Sequence, residues 1–381
     1  MSIEADRPAP PAQAMPPAPG APEPPKEPES PTAPAVIVRR VSPAPRDEWR
    51  EILAADPFAL ESQSPEWAEA AVAVGRVNDV SRLYELAGGR RIVVPMLRRR
   101  PTAGRAAIDG SNLRGWGVGG MLAPGGPRPA EVRAVLADLA RRTAIRQTLW
   151  PNPLEPEGWE GLAPAGAVIK PRVGHAVDLE GGFEQVWSKR AASSSRRGAR
   201  HAEKEGVTIE SGTAGALLGE FYGLIAQAVE RWARIQHEPQ RLASWRHERK
   251  DPRAKFEAIA RCLGERCRIW VARVDGRPAA SMMVLTGNNA YDYRAAMDED
   301  FMKSRANDLL LRHSLEQACR DGCRYYYMGD SGQSASLAQF KERFGATPFR
   351  YDEYRFERAP LTPLENAAKG AVKRLLKFKD G

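Results

Sequence analysis

The alternation of apolar and polar positions is clearest between residues 268 and 345. Residues 269–274 and 279–285 alternate as two strands across Asp275-Gly276, a dipeptide suited to tight hairpin turns. Residues 291–297 read as a third strand after the turn signal Gly287-Asn288-Asn289. Residues 305–321 carry Leu and Ala at helical spacing and stop at Gly322, a natural C-cap. A short aromatic strand over 325–327 leads through a Gly/Ser loop to a helical 340–345. Three antiparallel strands, a helix and a returning strand make one α+β sheet whose helix-start loop faces a ligand.

The earlier chain shows the same order of elements. Residues 46–55 read as a helix, and Ser64-Pro65-Glu66-Trp67 as a helix start with Pro in the first turn. Two strands, 81–87 and 91–97, meet at Gly88-Gly89. A glycine-rich segment over 115–126 is followed by an amphipathic helix over 129–145 and a strand over 148–150. The fold class is therefore α+β, with two similar units in tandem, each a mostly antiparallel sheet flanked by helices. Between them lie a strand over 175–179 and a basic helix from 181–182 onward, carrying Arg196 and Arg200 one turn apart. That guanidinium pair can grip a diphosphate or serve as a salt-bridged surface. Helices over 221–234 and 255–263 flank a polar stretch, and the last strand spans 350–356. Expected boundaries are a disordered Pro/Ala-rich tail over 1–35, a first domain over 36–182, and a second over 183–358 that includes the basic helix. A basic amphipathic helix over 359–381 ends the chain.

Composition narrows the class. The chain has 381 residues, net charge +9 and a hydrophobic share of 42%. It reads as a soluble protein with a phosphate-bearing or membrane-surface partner and without DNA as a ligand. The tail is too poor in large apolar residues to fold. Four cysteines at C-x4-C and C-x3-C spacing and five scattered histidines make no metal site, and core cysteines are expected. There is no apolar run long enough to cross a bilayer and no signal-peptide core, so a cytoplasmic protein is expected. The C-terminal helix can rest on anionic lipid at the inner membrane face or pack on the protein.

Three local patterns resemble the FemAB-like branch of the GNAT acyltransferase superfamily. Ser195-Arg196-Arg197-Gly198-Ala199-Arg200-His201-Ala202 before Glu205-Gly206-Val207 is similar to the family's Thr-Arg-x-x-Ile-Arg-x-Ala helix. Asp275-Gly276-x-Pro278-Ala279 resembles its hairpin. Tyr325-x-x-x-Gly329-Asp330 with Phe340-Lys341-x-x-Phe344-Gly345 resembles its closing strand and Phe-Lys-x-x-Phe-Gly motif. The resemblance implies two GNAT-like domains and transfer of an acyl group to an amine. Donors in the family are acyl-CoA or aminoacyl-tRNA, and acceptors include peptidoglycan and polysaccharide precursors of the envelope. It implies no permanently bound cofactor. It also implies that Arg196 and Arg200 contact substrate phosphates and that Phe340 and Lys341 lie by the reacting acyl group. The loop before the long helix, with Ser304, Arg305 and Asn307, would hold a donor phosphate on its backbone amides. That loop lacks the glycines usual in CoA-binding members, and the coiled-coil insertion of some tRNA-using members has no counterpart.

Amide formation needs a neutral amine, a placed carbonyl and a stabilised oxyanion. Lys341 is the expected cation for the last role. Asp330 could accept the amine proton or pair with Lys341. Tyr291 and Tyr293 are expected on opposite sides of their strand, Tyr291 toward substrate and Tyr293 as a proton donor to the leaving group. Two other readings compete: a non-catalytic GNAT-like scaffold held at the membrane by its tail and C-terminal helix, and an RNA-binding module using Trp232, Trp245 and Trp270.

Overall fold

A computed structural model describes residues 35–375 apart from 112, 114, 156–158 and 333. The expected N-terminal tail lies almost wholly outside them, as do the side chains of Lys369, Lys373, Arg374, Lys377 and Lys379 on the C-terminal helix. The chain enters through β1 (Ile37–Val41), α1 (Arg46–Ala55) and α2 (Pro65–Ala73). Ser64 caps α2 by accepting the Trp67 N–H at 3.1 Å, and Pro65 occupies a position whose N–H has no helical partner. Short strands β2 (Val77–Asp79), β3 (Arg82–Leu86), β4 (Arg91–Val94), β5 (Leu97–Arg99) and β6 (Ile108–Gly110) precede the glycine-rich loop. Then come α3 (Pro129–Arg141) and β7 (Arg146–Leu149). β8 (Val168–Asp178) begins earlier than its sequence suggests, because its first residues are exposed and carry no apolar alternation.

The expected single basic helix is two. α4 (Gly182–Gln185) runs into a π turn over 186–190, the backbone extends at Ala191, and α5 (Ser193–Lys204) starts anew. After β9 (Thr208–Thr213) come α6 (Leu218–Ile235), α7 (Gln240–Lys250) and α8 (Arg253–Leu263). α7 is helical where composition suggested only a polar stretch, and Ala243 is its one buried residue. β10 (Cys267–Val274) and β11 (Arg277–Thr286) turn at Asp275 and Gly276, both at positive φ, 48° and 75°. β12 (Ala290–Met297), α9 (Ala306–Arg320), β13 (Tyr325–Asp330), α10 (Ala335–Glu342), β14 (Thr347–Glu357) and α11 (Leu361–Leu375) complete the chain.

Strands β1, β3 and β4 form a small sheet, and eleven strands form a large one in the order β2-β5-β6-β7-β14-β8-β13-β12-β11-β10-β9. Each half contributes one parallel pair, β6 with β7 across α3 and β12 with β13 across α9. The closing strands are exchanged between the halves: β8 leaves the first to pair with β13, and β14 returns from the second to pair with both β8 and β7.

Period-two alternation buries both faces of β10 and β11. Ile269, Val271, Met283 and Leu285 face Phe221 of α6 and Phe256 of α8. Trp270, Ala272, Met282 and Val284 face α9 and the small residues Ala199 and Ala202 of α5. Trp270 is thus a core residue and cannot stack on a base, which removes one of the three tryptophans from the RNA reading.

Candidate active site

The parallel strands β12 and β13 pair only at Ala290–Tyr326 and Tyr291–Tyr327 and then part. The parting coincides with a bulge on β12, where Met283 and Val284 of β11 face Arg294 and Asp292 and Tyr293 is the extra residue. A split therefore opens beside Asp292 on one strand and Gly329 and Asp330 on the other. In the first half the corresponding pair stays closed. Ser111 N–H reaches the Thr148 carbonyl at 2.9 Å, and Trp150 N–H reaches Ser111 Oγ at 2.8 Å. The glycine-rich loop lies against that seam so tightly that a Cβ on Gly119 would sit 1.9 Å from the Ser111 carbonyl oxygen.

Lys341 lies at the split. Ser334 caps α10, and the helix carries Lys341 inward so that it is only 4% exposed. Its Nζ donates to the Gly329 carbonyl at 2.7 Å. Burial lowers the ammonium to about 8, while the carboxylates of Asp292 and Asp330 favour its charge. Asp292 is the counterpart: burial pushes its carboxyl up to about 7 against the pull of Lys341 and Arg294. Its buried Oδ1 has no hydrogen-bond partner among the described residues. An orphaned buried carboxylate oxygen beside a buried ammonium is unusual in a merely structural position.

Asp330 is differently placed. Its Oδ1 accepts from Tyr327 at 2.9 Å and from Tyr351 at 2.8 Å, and Oδ2 lies 3.0 Å from the Tyr351 hydroxyl. Tyr351 in turn accepts from Trp150 Nε1 at 2.7 Å. Held by two phenols, this carboxylate lies close enough to Lys341 to favour the ammonium's charge. His175 completes the corner, buried on β8, with Nδ1 3.0 Å from Ser331 Oγ and Nε2 3.8 Å from Glu342. Burial and the neighbouring Lys341 hold it below its usual pKa.

Residues 189–342, which span this split and the Lys341 helix, match the family model described as an acetyltransferase (GNAT) domain. Residues 189–342 therefore form a GNAT acetyltransferase domain. Its fold is similar to that in the crystal structure of FemX, with 12% identity, a TM-score of 0.61, and coverage of 86% of this chain and 99% of that one. It is also similar to a conserved protein of unknown function from Bacteroides thetaiotaomicron, at 8% identity and a TM-score of 0.51, covering 83% and 99%. No curated protein matches the sequence. The GNAT domain makes the chain an acyltransferase.

The other GNAT residues named from sequence fall in several places. Tyr291 and Tyr293 share a face, contrary to expectation, because residues two apart on a strand point the same way; their rings lie 5.8 Å apart in one core cluster. Tyr291 packs 5.0 Å from Tyr327, within the hydrogen-bonded tyrosine group. Tyr293 donates to the Gly115 carbonyl at 2.6 Å, and burial holds its phenol well above the usual value. Phe340 packs against Phe344 with ring centroids 5.3 Å apart and planes tilted by 55°. Arg196 directs its Nη1 to the carbonyls of Trp187, Ser188 and Ala191 at 3.1, 3.0 and 2.5 Å, closing the π turn. Arg200 is exposed. Their helix docks on α10, since Ser195 Oγ donates to the Arg343 carbonyl at 2.9 Å. Ser304 donates to its own turn at Phe301, 2.7 Å away. Arg305 takes φ 60° and lies 2.8 Å from Asp308, which Arg343 also reaches at 3.3 Å. Asn307 is half-buried in the first turn of α9. Asp308 therefore places a carboxylate of the chain itself at that helix start.

Asp292, His175, Tyr351 and Trp150 were not singled out from sequence. Asp292 alone carried a signal: it is the one acid in its strand and is flanked by two tyrosines.

Proposed function

We propose that the protein transfers an acyl or aminoacyl group from acyl-CoA or aminoacyl-tRNA to an amine on a cell-envelope precursor of the peptidoglycan or polysaccharide kind. The observation that carries this reading is the buried Lys341 ammonium with the unpartnered Asp292 Oδ1 in its field, at the point where β12 and β13 part. A donor carbonyl seated in the split would place its oxygen toward the Lys341 ammonium. The acceptor nitrogen attacks the carbonyl carbon, the ammonium stabilises the oxyanion, and Asp292 takes the amine proton. Collapse breaks the carbon–sulfur or carbon–oxygen bond, and the proton accepted by Asp292 passes to the leaving thiolate or ribose oxygen. One preorganised donor at an oxyanion is worth about 3 kcal/mol of barrier, and a matched proton acceptor roughly 100-fold or more in rate.

Asp330 keeps Lys341 charged, and Tyr291 and Phe340 bound the reacting region. Arg200, with Arg196 behind it, is offered as a phosphate contact. Ser304, Arg305 and Asn307 are proposed to contact the donor's phosphates through the loop backbone, since Asp308 sets a carboxylate at the same helix start. Tyr293 is better suited to holding the bulge than to donating a proton. No helix among the described residues is long and apolar enough to cross a membrane, and a peripheral contact through α11 is part of this proposal.

The test incubates residues 36–381 with acetyl-CoA or charged tRNA and a panel of amine acceptors. Acceptor-dependent thiol release selects the CoA donor, and product abolished by RNase selects tRNA. Absence of acyl transfer from both donors to every envelope precursor and amino sugar offered would overturn the reading.

A further inference from the structure

Exposed large apolar side chains are unevenly distributed. Among the described residues, five of the eleven belong to the hairpin of α6 and α7 or to the loop beside it: Trp232 at 51%, Ile235 at 53%, Leu242 at 36%, Trp245 at 55% and Met302 at 56% exposure. The loop and the hairpin are physically joined, since Arg234 pairs with Glu299 at 2.5 Å and Arg231 donates to the Met297 carbonyl at 3.0 Å. The hairpin end therefore stands next to the segment between β12 and α9 that flanks the split.

Cations are interleaved with these side chains. Residues 231–250 hold six Lys or Arg (231, 234, 241, 246, 249, 250) and two acids, Glu238 and Glu248, for a net +4. Glu238 is buried and answered by Arg246 at 2.6 Å. Arg231 and Arg249 lie over the rings of Trp232 and Trp245, with centroid distances of 5.5 and 4.9 Å. α7 buries only Ala243, so little of its own sequence is spent on the core.

We infer that the α6–α7 hairpin is a docking surface for an anionic lipid bilayer. Tryptophan with an apolar body and polar edge, ringed by arginine, suits the headgroup level, and the arginines suit lipid phosphates. The aliphatic tips of Ile235 and Leu242 decide against nucleic acid, which offers them nothing, whereas the boundary of headgroups and acyl chains buries them. This surface is distinct from α11 and would present the split to an acceptor held at the membrane. The docking itself does not depend on which acceptor or donor is used.

The test is co-sedimentation of the full chain with phosphatidylglycerol–phosphatidylcholine vesicles, compared with phosphatidylcholine alone. Three variants are measured alongside: Trp232→Ser/Ile235→Ser/Leu242→Ser/Trp245→Ser, Arg241→Glu/Arg249→Glu, and a chain lacking 362–381. Circular dichroism and acyl transfer to a soluble amine check that the fold is kept. Binding selective for anionic vesicles that falls about tenfold or more in both hairpin variants, and persists in the truncated chain, supports the proposal. Unchanged binding in the hairpin variants overturns it. So does binding carried wholly by 362–381, loss of RNA rather than vesicle binding, or a self-association that the same substitutions abolish.

Discussion

Lys341 and Asp292 are opposed by burial in opposite senses: the ammonium is lowered to about 8 and the carboxyl raised to about 7. The productive pair, charged lysine and free carboxylate, is therefore most populated between these two values. The acyl-transfer rate is expected to fall below about pH 7 as Asp292 is protonated and above about pH 8 as Lys341 is neutralised. Asp292→Asn should lower the rate by roughly 100-fold and remove the acid limb. It should also move the alkaline limb to lower pH, because the Asp292 charge helps to keep Lys341 protonated. A pH–rate series of both proteins with one acceptor checks this; a mutant profile that overlays the native one excludes Asp292 as the base. The motif that points to Phe340 and Lys341 is legible in the sequence, since a lysine between two phenylalanines one turn apart is a local pattern. Asp330's two phenol partners, Tyr327 and Tyr351, were not legible, because they converge from different strands.

Elements with a full apolar period were readable to within a few residues, as α1, α9 and the β10–β11 hairpin show. α7 was not, having one buried residue, and the π turn that divides α4 from α5 leaves no apolar signature. The glycine-rich loop was visible as composition, but its reason is steric. Gly119 approaches the Ser111 carbonyl where no Cβ fits, and Gly117, at φ 74°, would place one 2.9 Å from Ser62 Cβ. Gly119→Ala must push the loop off the closed seam of the first half, and a loss of about 3 kcal/mol or more in unfolding free energy is expected. Urea denaturation measures it, and a loss under about 1 kcal/mol would mean that the loop yields freely.

At the scale of the whole molecule, the repeated order of elements was legible and the exchange of β8 and β14 was not, since a strand's partner is set by global packing. The seam between the halves includes a buried polar cluster around the Gly115 carbonyl. Lys255, fully buried on α8, donates to the Gly115 carbonyl and to Asp251 Oδ1, the latter at 2.5 Å, and Tyr293 donates to the same carbonyl. Burial lowers Lys255 to about 7. Its folded pKa lies below its unfolded value, so between about 7 and 10.5 the unfolded chain binds more protons and this residue's contribution to stability rises with pH. Lys255→Met takes the closest hydrogen-bond donor from buried Asp251, leaving it Arg294 at 3.4 Å, and should cost about 1–3 kcal/mol. Lys255→Met/Asp251→Leu should recover much of that loss in thermal unfolding. A double variant no better than the single one would show that the pair holds the seam through more than its charges.

The central claim is that acyl transfer occurs at the split beside Lys341, and a single-turnover rate tests it most directly. Once the donor is known, Lys341→Met is compared with the native chain under saturating donor and acceptor, with circular dichroism confirming the fold. The expected result is a fall of about 100-fold or more in the transfer rate with donor binding largely kept. A folded Lys341→Met protein that transfers the acyl group at the native rate would contradict the account.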